Sequence, residues 1–98
     1  MTKGNSIRFP DVDEGIYVPV GALLRRVRDL RGLNQQNAAE LICVPGSTLS
    51  ALEAGRRTIR SVPMSMRVAD GLNIPRHQMI EWVILEVEHH HPDLRRQK

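Results

Sequence analysis

Asn34-Gln35-Gln36-Asn37-Ala38-Ala39-Glu40-Leu41-Ile42-Cys43-Val44-Pro45-Gly46-Ser47-Thr48-Leu49-Ser50-Ala51-Leu52-Glu53-Ala54-Gly55 is the stretch whose spacing decides the fold. Asn34 is a capping residue type placed ahead of Ala38, Ala39, Leu41 and Ile42, so a helix is predicted to open there. Cys43-Val44-Pro45-Gly46 breaks it. A second short helix then holds Thr48, Leu49, Leu52 and Glu53, and Gly55 ends it. Two short helices across a brief turn are weak evidence alone, but the residue types sharpen the reading. Ala39 is small where the two helices must approach closely, and Val44 is apolar where the turn must be plugged. Leu49 and Leu52, three apart, face the core. Ser47, Thr48, Ser50 and Ala51 leave the outer face short and polar. A helix that lies in the major groove of DNA needs such a face, because bulky side chains hold it off the base edges.

Working outward, Val20, Leu23, Leu24, Val27 and Leu30 form an i, i+3, i+4, i+7 stripe that predicts a first helix, stopped by Gly32. Downstream, Ser61 caps a fourth helix with Pro63 in its first turn, running to about Leu72. Asn73-Ile74-Pro75 is a turn, and a fifth helix runs from about Arg76 to His89. The result is an all-α fold of five short helices. Upstream, Ile7 to Val20 holds Pro10, Gly15 and Pro19 and reads as an extended arm, with Ile16-Tyr17-Val18 its best short strand. The organisation expected is an N-terminal arm over 1–19, one helical domain over 20–90 and a tail over 91–98.

Composition narrows the function. Apolar residues make up 41% of 98, enough for one compact core, and only Phe9, Tyr17 and Trp82 are aromatic. No run is long enough to span a bilayer and no signal-peptide pattern opens the chain. The single Cys43 rules out an internal disulfide framework and fits a reducing cytoplasm. The net charge of +3 is unevenly placed. From 20 to 60, seven arginines (25, 26, 28, 31, 56, 57 and 60) face three acids (29, 40 and 53), so the excess lies in the middle of the chain. Guanidinium forks suit phosphates and base edges, although the same pattern also makes a merely soluble surface. Neither a nucleophile–base–orienter set nor a phosphate-cradling glycine loop is present, so catalysis and a cofactor are not expected.

The run Gly21-Ala22-Leu23-Leu24-Arg25-Arg26-Val27-Arg28, Gly32-Leu33-Asn34-Gln35, Ala38 to Ile42, Ser47 to Gly55 and Val68-Ala69-Asp70-Gly71-Leu72 resembles the Cro/repressor-type, XRE-like helix-turn-helix family. The likeness covers about residues 20 to 80, without gaps across the two central helices. It implies that Gln35 opens the second helix near a DNA phosphate and that Gly46, Ser47, Thr48 and Ser50 face the major groove. It implies that Arg56 and Arg57 contact the backbone, where arginine positions a protein without reading sequence. It also implies that Arg28 and Glu53 pair and tie the first helix to the third. The bland alternatives are capping by Ser47 and Thr48 and a solvated loop at Arg56-Arg57. Two positions depart from the family. Cys43 stands where glycine is usual, at a turn position that often needs a left-handed backbone. Gly46 replaces a long polar side chain, which leaves specificity to Ser47, Thr48, Ser50 and DNA shape.

Other features invite competing readings. Cys43 reads as a half-buried turn residue rather than a redox switch, since no basic group is placed to lower its pKa. His89-His90-His91 reads as a solvated helix end rather than a metal site, since adjacent helical histidines diverge and no second ligand cluster exists. In the fifth helix, Ile80, Val83, Ile84 and Val87 are expected to face the core. That register leaves Trp82 and Leu85 on the opposite side as the centre of a homodimer interface, with arm-mediated pairing as the competing arrangement. The function expected is a dimeric repressor binding double-stranded DNA at a palindromic operator. The alternative is an antitoxin or adaptor that uses the same fold mainly to hold a partner protein.

Overall fold

A computed structural model describes residues 17–94. Five α-helices follow in order: α1 (Val20–Leu30), α2 (Gln35–Ile42), α3 (Gly46–Ala54), α4 (Val62–Leu72) and α5 (Arg76–His90), then a 3-10 turn over Pro92–Leu94. There is no strand among the described residues. Tyr17 and Val18 are therefore not part of the short strand read there, while Ile16 and the rest of the arm, with residues 95–98, lie outside the described residues.

Local chemistry explains the boundaries. Asn34 Oδ1 accepts from the Asn37 amide at 2.7 Å, and Ser61 Oγ accepts from the Met64 amide at 3.1 Å, capping α2 and α4. Cys43 ends α2 with φ 67 and ψ 44, the left-handed conformation that this turn position requires. A non-glycine residue there carries a strain of about 1 kcal/mol. The thiol is exposed, not half-buried. Asn73 ends α4 in the same conformation. Arg31 reaches across to that end, with Nε donating to the Leu72 carbonyl at 2.8 Å and an Nη donating to that of Asn73 at 2.9 Å. Two orphan carbonyls and the negative end of α4 are met by one cation.

Leu24, Val27, Ile42, Leu49, Val68, Leu72 and Met79 are completely or almost completely enclosed and bring all five helices into one core. Each such side chain contributes about 2 kcal/mol by leaving water. Two glycines let backbones touch. A Cβ on Gly21 would run into the Leu52 carbonyl of α3, and one on Gly71 would lie 2.7 Å from the Leu41 carbonyl of α2. Helix α1 is thereby pressed onto α3, and α4 onto α2.

Helix α5 corrects the register expected from its sequence. Its buried positions are Met79, Trp82 and Glu86, and Trp82 is only 3% exposed. Ile84 and Val87, expected inside, are 49% and 37% exposed. A helix with apolar residues on several sides fits more than one rotation. The largest surface won, because the indole has more area to bury than any aliphatic neighbour. Trp82 thus belongs to the core of its own chain, and Leu85 is left as an exposed side chain without it.

Candidate nucleic-acid interface

The unit that holds α2 against α3 is a carboxylate. Glu53, near the end of α3, accepts from Arg28 Nε at 2.7 Å and from an Arg28 Nη at 3.0 Å, a two-pronged contact from α1. The other Nη of Arg28 donates to the Leu33 carbonyl in the α1–α2 turn at 2.9 Å. Gln35, the first residue of α2, donates from Nε2 to Glu53 Oε1 at 3.0 Å. One side chain therefore gathers three helices. The side chains of Arg28 and Glu53 are 12% and 5% exposed, so the pair sits largely out of water. The hydrogen bonds to Glu53 hold the guanidinium pKa above its ordinary value, outweighing the opposing effect of burial.

Around this brace, α3 turns a smooth face outward. Gly46, Ser47 and Ala54 are exposed and Ser50 is half-buried. At one residue per 100° they fall on one side of the helix, opposite Leu49 and Leu52. Thr48, expected on the same face, falls instead on the inner side between Ala51 and Leu52 and is half-buried, and Ala51, also expected outside, is turned inward and 8% exposed. The cap of α3 is Pro45, and no side chain closes that end. Ser47 and Thr48 are thus not spent on capping, which disposes of their bland alternative. Gly46 has nothing within 4 Å of where a Cβ would stand, and its φ is not positive. The fold does not require glycine there.

Directly after α3, Gly55 takes φ 82 and the backbone amides of Arg56 and Arg57 close onto the Ala51 carbonyl at 2.9 and 3.3 Å. Their backbones are fixed while both side chains remain exposed. Arg60, on the same loop, is exposed too, with Nε donating to Thr58 Oγ1 at 3.1 Å. The sequence marks Arg60 as one basic residue among several and gives it no place. Gln35 is brought beside α3, but one of its amide hydrogens is used inside the protein. What it presents at the start of α2 is its backbone N–H and the second amide hydrogen.

A second polar cluster lies at the other end of α1. Pro19, its cap residue, has no side-chain acceptor, and the Val20 amide instead donates to Glu86 Oε1 of α5 at 2.7 Å. Tyr17 donates its hydroxyl to the same oxygen at 2.9 Å and stacks on His89 with ring centroids 3.7 Å apart. His89 is therefore part of a packed contact, not simply a solvated end. Nothing in the local sequence marks Glu86, since its partners are 66 and 69 residues away.

This geometry agrees with what known families show. A family model described as a helix-turn-helix domain matches residues 19–82, about two thirds of the chain. The protein belongs to that family of XRE-like DNA-binding domains. No curated protein and no solved structure matches at a significant level. No described helix is long and apolar enough to cross a membrane.

Proposed function

We propose that this protein is a sequence-specific transcriptional regulator acting as a dimeric repressor. Each copy lays α3 into one major groove of a palindromic operator. The observation that carries this reading is the outward side of α3. Its small residues Gly46, Ser47, Ser50 and Ala54 are followed, just past the end of the helix, by the exposed Arg56 and Arg57, and Glu53 fixes the helix's angle. A face without long side chains lets the helix approach the base edges closely. Ser47 and Ser50 then contribute short hydrogen bonds, and the shape of the DNA supplies the rest of the discrimination. Arg56 and Arg57, joined by Arg60, grip the phosphates on one side of the groove, and the N-terminal end of α2 at Gln35 meets a phosphate on the other. Repression follows most simply from competition with RNA polymerase for the same DNA, in the cytoplasm.

The test is the salt dependence of binding to duplex DNA. Arg56→Ala and Arg57→Ala should weaken binding to every sequence and flatten the slope of log affinity against log salt by about one unit for each phosphate that is no longer neutralised. Changes at Ser47 or Ser50 should leave the slope alone and change which half-site is preferred. Weak, slope-free DNA binding together with a stoichiometric co-purifying protein would overturn the reading in favour of an antitoxin or adaptor.

A further inference from the structure

We propose that two copies of this chain pair through the flank of α5 that carries Ile80, Ile84 and Val87, with the two helices antiparallel about a two-fold axis. The proposal rests on the dimeric reading above and assigns it a face. Ile80 is half-buried, Ile84 and Val87 are exposed, and their i, i+4, i+7 spacing puts all three on one stripe beside the partly covered Val83. Leu85 lies on the other flank, with Glu81, Glu88 and His89 as its helical neighbours, and makes no such stripe.

Two observations choose a second copy as the occupant. The first is where the rest of the chain reaches this helix. Tyr17 is held by Glu86 and His89, positions that helical spacing places on the core side of α5, turned away from the stripe. The second is charge. His77 and Glu88 stand on the same rim of the stripe at opposite ends of the helix, and neither has an ion-pair or hydrogen-bond partner among the described residues. An axis crossing α5 between Val83 and Ile84 sets Ile80 of one copy against Val87 of the other. It also brings His77 within a turn of the second copy's Glu88, twice over. A parallel pair would instead carry the two copies of this rim to opposite edges of the seam, where His77 and Glu88 cannot meet. Because the seam is one helix wide and roughly 22 Å long, it falls at the small end of specific interfaces. The free dimer is accordingly weak, and binding two half-sites on one duplex adds to it.

Sedimentation equilibrium without DNA, with circular dichroism to verify folding, tests this. The parent should be a reversible dimer. Ile84→Glu, an exposed site, should fold normally and dissociate about 100-fold more readily. Leu85→Glu should change the constant by no more than about 2-fold. His77→Glu should weaken pairing about 5-fold, and His77→Glu combined with Glu88→Lys should restore it, a rescue that only the antiparallel register gives. If the parent dimerises and Ile84→Glu leaves it dimeric, the face is wrong while the dimeric reading stands. A parent that stays monomeric at millimolar concentration overturns both, and leaves DNA binding to its own test.

Discussion

Glu53 and Glu86 are the two side chains on which the arrangement of the helices most depends, and they differ in how far each could be foreseen. The Arg28–Glu53 contact is enclosed and two-pronged, so removing either partner strands the other away from water. Glu53→Ala should cost about 3–5 kcal/mol and lower the melting temperature by more than about 10 °C. A variant melting within a degree or two of the parent contradicts this. Glu86 works through Tyr17. The phenol is pushed up to about 12 by its burial first, and then by the hydrogen bond and negative charge of Glu86. A folded pKa above the ordinary 10.0 means that the neutral phenol stabilises the fold. That contribution is complete below pH 10 and is lost as pH rises through about 12. Since Tyr17 is the single tyrosine, the phenolate absorbance of the native protein reports it directly. Its midpoint should lie near 12 in the parent and fall towards 10 in Glu86→Gln, where the acceptor is no longer charged. An unperturbed parent titration contradicts the contact.

At the scale of the helices, Gly21 and Gly46 separate a position the packing needs from one the outward side of α3 leaves open. Gly21→Ala places a methyl against the backbone of Leu52 and should destabilise by about 2–3 kcal/mol, since two packed helices must part. Gly46→Ala meets nothing and should stabilise slightly, by about 0.5 kcal/mol, while altering operator preference. Equal melting temperatures for the two variants would contradict the packing described. The same contrast explains what can be read from the sequence. The boundaries of all five helices are legible, because Asn34, Gly32, Gly55, Ser61 and Pro63 signal locally through capping chemistry and backbone preference. The buried side of α1 is legible too in Val20, Leu23, Leu24 and Val27, whereas Leu30, read as the last member of that stripe, stands 61% exposed at the helix end. The buried side of α5 is not. Ile80, Trp82, Val83, Ile84, Leu85 and Val87 surround that helix, and periodicity cannot choose among rotations when nearly every side is apolar. Tertiary contacts choose, with Trp82 in the core and Glu86 facing the start of α1. Arg31, counted in the sequence among the basic residues of the middle segment, is sent by folding to the end of α4. Partners more than 40 residues away leave no trace in a local pattern.

Across the whole molecule, the core, the Glu53 brace and the close glycine contacts all serve to hold α3 at one angle with its small side outward. The central claim is that this helix reads a two-fold symmetric DNA site. Selection of bound fragments from a pool of random duplexes measures it most directly, because it presupposes neither the operator nor the partner. The result predicted is enrichment of an inverted repeat whose half-site centres lie about 10 base pairs apart, one turn of duplex. Ser47→Ala and Ser50→Ala should shift the preferred bases within each half-site. Arg56→Ala should recover the parent's sequence at lower yield. A pool that emerges from selection as random as it entered, from protein that is folded and held at low salt, would contradict the claim.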